Sequence, residues 1–148
     1  MKIYLVIVLL AFSSCDMFLA GSYPYAESYR FECSRSELIE RIAEFKKVNP
    51  EFQPVQMSKD SIVESYPKDG QTDFFYHFYF YIDSLNLYIH CAMNKNEQNP
   101  TDLLFTGVTK SKNMAYWKRI NEDLPRKENK MIKKIFESEI LDNLGKWK

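Results

Sequence analysis

The 148-residue sequence is poor in glycine and histidine, with 4 and 2 of them, and it lacks the short motifs of common active sites. It contains no glycine-rich phosphate loop, GxSxG, HExxH, EF-hand loop or CxxC pair. These absences give no support to a nucleotide, zinc-protease, calcium or thiol-redox site, so we expect no cofactor, no metal and no enzyme. An enzyme that relies on acid/base carboxylates would leave no such motif, and that alternative stays open.

Long hydrophobic runs are also absent. The longest, Ile3 to Phe12 (IYLVIVLLAF), has ten residues. As a helix it would reach about 15 Å, roughly half the hydrocarbon core of a bilayer. It is therefore too short to span a membrane. With Met1 and Lys2 before it and small residues after it, it has the size of a signal-peptide core.

The residues that follow this run, Phe12 to Cys15 (FSSC), resemble the lipobox of bacterial lipoproteins. The family usually has leucine where Phe12 stands. In that family the cysteine thiol receives a diacylglycerol, the chain is cut just before it, and the new amino terminus is usually acylated. The resemblance implies a signal peptide at 1–14, lipidation of Cys15 and anchoring in the bacterial cell envelope, at the inner or the outer membrane. Plain secretion, with cleavage after Ser22 or with Cys15 incidental, is the alternative.

Residues 16–27 show no steady hydrophobic period and contain a glycine and a proline. We interpret 15–27 as a lipid-anchored tether, whose last twelve residues would span at most about 40 Å. Residues 28–148 then form a single α+β domain. Its 10 tyrosines and 11 phenylalanines are typical of a packed sheet protein.

The first half of this domain alternates between strand and helix signals. Residues 28–33 place Tyr29, Phe31 and Cys33 on one face of a strand. Ser34 and Glu37 form a capping box that predicts a helix to about Val48, followed by a loop at 49–60. A short strand at 61–66 and a turn at 67–71 come next.

The aromatic segment 72–94 predicts a β-hairpin with two chemically different faces. With Asp83-Ser84 as the loop, Ile82 would oppose Leu85; a four-residue loop would keep the same faces. One face, which includes Phe74, Phe78 and Phe80, is largely apolar. The opposite face is the candidate binding face, and it consists of Phe75, His77, Tyr79, Tyr81, Asn86, Tyr88 and His90.

The C-terminal half predicts a strand at 103–109 and two helices. Residues 113–124 place Trp117, Ile120 and Leu124 on one helical side, and 127–144 carry an apolar stripe that Gly145 closes. The whole order predicts an α+β fold. It has a mostly antiparallel, five-stranded meandering sheet, with one helix after the first strand and two C-terminal helices.

The candidate binding face depends on how these helices pack. If all of them cover the Phe74/Phe78/Phe80 face, the tyrosine-rich face is an open platform for a protein or a glycan. In the alternative, helix 113–124 covers that face with Trp117. The two histidines would lie opposite one another across the hairpin, but a zinc site would need further ligands.

The two cysteines of the mature domain, Cys33 and Cys91, fall on core-facing strand positions. In an exported protein they are a candidate disulfide, and two buried free thiols are the alternative. Charge is uneven as well: residues 16–109 carry 8 basic against 14 acidic side chains, and residues 110–148 carry 11 against 6. The basic end could meet an anionic surface, or simply balance the acidic half; we expect no nucleic-acid partner.

The leading hypothesis is a lipid-anchored, non-enzymatic interaction module of the bacterial cell envelope. It would attach to the membrane through Cys15 and bind another envelope protein as a subunit of an envelope or secretion complex. The alternatives are a periplasmic immunity-type inhibitor of a toxin and a small envelope enzyme.

Overall fold

The structure, a computed structural model, describes residues 22–54, 68–111 and 114–148. In chain order the elements are β1 (Glu27–Phe31), α1 (Arg35–Val48), a 3-10 turn (Pro50–Phe52), β2 (Gly70–Gln71), β3 (Phe75–Ile82), β4 (Leu87–Asn94), β5 (Thr101–Thr109), β6 (Lys118–Arg119) and α2 (Arg126–Phe136). A π-helical segment (Glu137–Leu141) and the short α3 (Asp142–Leu144) continue α2 to Gly145. Within these residues, no helix is long and apolar enough to cross a membrane.

The six strands form one sheet in which every pair is antiparallel. Five of them follow the order β1-β5-β4-β3-β2, and β6 pairs with β5 outside this order. β1 pairs with the first half of β5, and β6 pairs with β5 further along, at Gly107 and Val108. The predicted α+β class, the antiparallel sheet, the helix after the first strand and the C-terminal helix are confirmed. The predicted strand at 61–66 lies outside the described residues, and part of the predicted turn is β2.

From Phe75 to Ile82 the hairpin has the predicted faces, but it does not have the two-residue loop. Phe74, which was expected on the apolar face, precedes β3 and is 72% exposed, so that assignment is wrong. Ile82 opposes Leu87, Phe80 opposes Ile89 and Tyr81 opposes Tyr88, so the register is shifted by two residues from the Ile82–Leu85 pairing. Residues 83–86 form a four-residue connection in which Asn86 has φ 46°. Asparagine tolerates this left-handed conformation better than most residues, which favours the longer loop.

Helix α1 begins and ends where the sequence predicts. The Ser34 hydroxyl accepts a hydrogen bond from the Glu37 amide at 3.2 Å, while the Glu37 carboxylate pairs with Arg41 rather than closing a capping box. Its apolar stripe is buried against the sheet: Leu38, Ile42 and Phe45.

The C-terminal helix packs on the same face of the sheet as α1, through Phe136. This ring is fully buried and lies 4.7 Å from Phe105, 5.9 Å from Tyr29 and 6.0 Å from Phe80, measured between ring centroids. The remaining buried residues of this helix are Ile132, Ile140, Leu141 and Leu144. Both helices therefore share one core with the Phe78/Phe80 face of the hairpin.

The predicted helix at 113–124 is wrong. In the described part of this segment Lys118–Arg119 is a strand, and Met114, Tyr116 and Asn121 have positive φ, which a helix does not allow. The edge of β5 beyond β1 needs hydrogen-bond partners, and β6 supplies them. Gly107 permits this approach, because a Cβ atom there would lie 2.7 Å from the Lys118 carbonyl oxygen.

Replacing Phe136 with alanine should lower the free energy of unfolding by about 3–5 kcal/mol, because the vacated space is bounded by packed rings. The matched control is Met131→Ala in the same helix, whose side chain is 47% exposed and whose loss should cost under about 0.5 kcal/mol. Urea denaturation followed by circular dichroism measures both. Equal losses in the two variants would contradict the one-sided core.

Candidate functional site

The seven residues of the candidate binding face lie together on the sheet face that carries none of the described helices. Tyr88 is buried, Asn86 is exposed in the hairpin loop, and the others are half-buried: Phe75, His77, Tyr79, Tyr81 and His90. Both predicted alternatives need correction. The face is not fully open, and no described helix covers it. Instead, two irregular segments each place one aromatic ring against it.

Those two rings are Tyr23 and Trp117. Tyr23 meets Phe75 edge-on at 5.2 Å and His90 at 6.0 Å. Trp117 lies 5.7 Å from His90 and 6.2 Å from Tyr79. Trp117 thus covers this face as the alternative proposed, but from the strand-and-turn segment rather than from a helix.

A β-bulge places His90 at the centre of this ring cluster. His90 opposes Gly107 while Cys91 opposes Phe105, so Thr106 is the extra residue in β5. The Thr106 hydroxyl lies 2.6 Å from His90 Nδ1 and donates to the His90 carbonyl oxygen at 3.0 Å. Bulges re-aim side chains, and this one turns a threonine hydroxyl onto the imidazole.

The two histidines are diagonal neighbours, not the directly opposed pair that the two-residue loop predicted; His77 opposes Ala92. Their rings nevertheless meet, with His77 Nδ1 at 2.9 Å from His90 Nε2 and Thr72 Oγ1 at 3.1 Å from His77 Nε2. Because the Thr106 hydrogen goes to the carbonyl, His90 Nδ1 donates and His90 Nε2 accepts. With His77 Nδ1 donating to His90 Nε2, the Thr72 hydroxyl must donate to His77 Nε2 instead of to the Phe75 carbonyl, which lies 3.2 Å away. In that arrangement a chain of hydrogen bonds runs from Thr72 through both imidazoles to Thr106.

This arrangement suits two neutral imidazoles. Burial, together with the smaller effect of the neighbouring His77 charge, lowers the pKa of His90 to about 3. Burial also lowers the pKa of His77. A proton added to His90 Nε2 would face the N–H of His77, so the pair resists double protonation. The titratable side chains that otherwise touch His90 are Tyr23 and Tyr79, whose pKa values burial raises.

The metal-ligating side chains of the ring cluster are its two imidazoles. Within the described residues no group of three histidine, cysteine, aspartate or glutamate side chains converges. His90 instead stacks on Tyr79 at 4.9 Å and on His77 at 5.1 Å. The site therefore presents rigid, neutral aromatic surface with a few polar tips.

The outer edge of β3 beside this face is closed by a buried lysine that the sequence analysis missed. Lys46 is 7% exposed, and its ammonium donates to Asp69 at 2.5 Å and to the Tyr79 carbonyl at 2.7 Å. Asp69 in turn accepts from the Tyr79 amide at 2.9 Å. Desolvation lowers the pKa of Lys46, and Asp69 acts against that effect. A visible signal existed, since Lys46 continues the spacing of Leu38, Ile42 and Phe45.

The candidate disulfide between Cys33 and Cys91 is not formed. Both cysteines are buried and free. The register of the strands explains this. Cys91 in β4 and Glu27 in β1 both pair with Phe105 in β5, and Cys33 lies six positions along the chain from Glu27. Six residues of extended chain separate the two by about 20 Å along the sheet, whereas a disulfide needs Cα atoms within about 7 Å.

No protein family, curated protein or solved structure matches this chain.

Replacing Thr106 with valine should destabilise the protein by about 1–3 kcal/mol, because the His90 Nδ1–H loses its buried acceptor. Thr106→Ser keeps the hydroxyl and is the matched control; it should retain most of the stability. Urea denaturation at neutral pH measures both variants. A serine variant as unstable as the valine variant would mean that methyl packing, not the hydrogen bond, matters at this position.

The neutral His90 should also make stability depend on pH. Its pKa is lower in the folded protein, so the unfolded chain binds the proton first. The free energy of unfolding should then fall as pH drops below about 6.5, by up to about 1.4 kcal/mol per pH unit from His90. Imidazole NMR shifts that show His90 titrating near its ordinary pKa would contradict this.

The free thiols should be detectable by alkylation without reductant. Burial raises the pKa of both Cys33 and Cys91, so the native protein should react slowly. In denaturant both thiols should add the reagent, and tryptic mass spectrometry locates the adducts. Two unmodified cysteines that become reactive only after reduction would reveal a disulfide instead.

Proposed function

We propose that this chain is a lipid-anchored, non-enzymatic protein-interaction module of the bacterial cell envelope. The observation that carries the proposal is the row of half-buried rings along the outer edge of the helix-free face: Phe75, His77, Tyr79 and Tyr81. Another envelope protein, as a fellow subunit of an envelope or secretion complex, is the partner that we assign to it.

The rings of this row are already held in place. Tyr79 stacks on His90, and the Tyr81 hydroxyl donates to the Asn86 side chain at 3.1 Å. Side chains that are ordered before binding lose little conformational entropy when a partner docks. Tyrosine also offers a large apolar area with a polar tip, which suits protein interfaces.

The chemistry of the two histidines supports binding rather than catalysis. Their hydrogen-bond partners among the described residues are each other, two threonine hydroxyls and no carboxylate. Both imidazoles have a lowered pKa, so they remain neutral at physiological pH. Neutral, mutually bonded imidazoles add shape and apolar area to an interface without an uncompensated charge.

The tether would bring this face close to the bilayer. If Cys15 carries the lipid, Ser22 follows seven positions later, which is at most about 25 Å of extended chain. Tyr23 follows at once and lies against Phe75 and His90. The anchored end of the chain therefore enters the domain at the aromatic face, where a membrane-bound partner could reach it.

Photo-crosslinking in intact bacteria tests the aromatic row. A benzophenone amino acid at Tyr81 of the full-length chain should capture a discrete envelope protein. Val48, which is 67% exposed at the end of α1 on the other side of the sheet, is the control position and should capture none. Equal adducts at both positions, or none at Tyr81, would contradict the proposal. The captured protein also separates a complex subunit from an immunity-type inhibitor, whose partner would be a toxin.

A further inference from the structure

Four cations on the solvent face of α2 have no acidic partner. Arg126, Lys127, Lys130 and Lys134 form no ion pair with any described residue. At 3.6 residues per turn they fall within an arc of about 100°. All four are exposed, on the side of the helix away from Ile132 and Phe136. We call these four residues the basic stripe.

The basic stripe is unfavourable for the isolated helix. Arg126 and Lys127 stand in the first turn, where the helix dipole prefers acidic groups. Lys130 is four residues from both Arg126 and Lys134, a spacing at which like charges repel. Two nearby acids are committed elsewhere, since Glu27 pairs with Lys133 at 2.7 Å and Glu137 accepts from Tyr29, while Glu128 is the one acid in the first turn of α2. Among the described residues the solvent face of α2 therefore carries an excess of positive charge, which an external anionic surface would compensate.

The N-terminal part of the domain runs beside this end of α2. Asn121, in the turn before the helix, donates to the Tyr25 carbonyl at 3.1 Å, and Lys133 holds Glu27. After Tyr23 on the aromatic face, the chain therefore passes the start of α2 before it joins β1. With about 25 Å of chain between Cys15 and Ser22, an anchored domain would keep α2 near the bilayer.

Exposed apolar groups accompany the basic stripe. Met131 borders the basic stripe, about 40° round the helix from Lys127, and is 47% exposed, and Tyr116 is 88% exposed. Tyr116, Lys110 and Lys118 line an apolar cavity of about 280 Å³ beside Leu124 and Glu128, at the start of α2. Tyrosine and lysine together suit the headgroup region of a bilayer, where one end of the ring is apolar and the other wet.

We propose that the basic stripe rests on an anionic phospholipid surface and so orients the anchored domain. This inference rests on the proposed function, because it needs the lipid on Cys15 to hold the domain at the membrane. Each basic side chain near such a surface strengthens binding by about fivefold. The effect should weaken with salt, since exposed charges are screened within about 10 Å at ordinary ionic strength.

The test uses the full-length protein purified from bacterial membranes and added to vesicles of phosphatidylcholine alone or with phosphatidylglycerol. Flotation shows whether the protein is bound, and mass spectrometry then measures acetylation of each lysine by a water-soluble reagent. Lys127, Lys130 and Lys134 should react about fivefold more slowly on the anionic vesicles. Lys47 and Lys95, which lie exposed on other elements, should react equally on both.

Charge reversal gives the matched comparison. An environment-sensitive label attached at position 131, through M131C, reports contact with the vesicle surface. In the K127E/K130E/K134E variant the signal of this label should no longer differ between anionic and neutral vesicles. K47E/K68E/K95E makes the same change in net charge and should keep the difference. The first variant should stay folded, because all three side chains are exposed and glutamate at position 127, in the first turn, agrees with the helix dipole.

The outcomes separate this inference from the proposed function. Failure to float with either vesicle would overturn both, because the anchor would be missing. Flotation with both vesicles but equal lysine reactivity would overturn only the basic stripe as a lipid contact. Protection in intact cells but not on anionic vesicles would likewise overturn it, in favour of an acidic protein on α2.

Discussion

The packing of both helices on one face of the sheet is the constraint from which the other features follow. Phe136 lies against rings from β1, β3 and β5, so the C-terminal helix and the sheet share one apolar layer. With α1 and α2 packed on that face, the described residues that reach the opposite face come from short irregular segments. Two single rings, Tyr23 and Trp117, are what the described chain supplies there.

On a partly covered aromatic face, a charged imidazole without a partner would be unfavourable, and the bulge in β5 helps to keep His90 neutral. It turns the Thr106 hydroxyl onto His90, which lets His90 and His77 complete a hydrogen-bond chain without ionising. At the neighbouring edge of β3, Lys46 donates a hydrogen bond to the Tyr79 carbonyl oxygen and Asp69 accepts one from the Tyr79 amide. The face is thereby stiffened, and one point on its edge is closed to strand addition.

The sequence predicted the features that depend on alternation and failed on those that depend on tertiary context. The hairpin faces were correct because a slip of one residue would exchange Phe80 with Tyr81. The loop length was not determined, since two and four residues keep the same faces. Trp117, Ile120 and Leu124 have helical spacing, but Ile120 is buried and Trp117 crosses the other face from an irregular segment. Gly107 within a strand was the available sign of the bulge and of the close approach by β6.

The aromatic row (Phe75, His77, Tyr79 and Tyr81) and the basic stripe lie on different surfaces, yet the N-terminal part of the chain passes close to both. It passes Tyr23 on the aromatic face and Glu27 beside α2, so a lipid on Cys15 would place a bilayer within reach of each. An interaction module of this kind would meet its partner more often, because the membrane would confine both proteins to one surface. Orientation by the basic stripe would then decide which way the aromatic row points.

The central claim is that a lipid on Cys15 holds this domain at the membrane. Mass spectrometry of the native protein's N-terminal peptide, isolated from bacterial membranes, tests it most directly. The account predicts a peptide that begins at Cys15 and carries a thioether-linked diacylglycerol. An unmodified cysteine at this position, in protein recovered free of the membrane fraction, would contradict it.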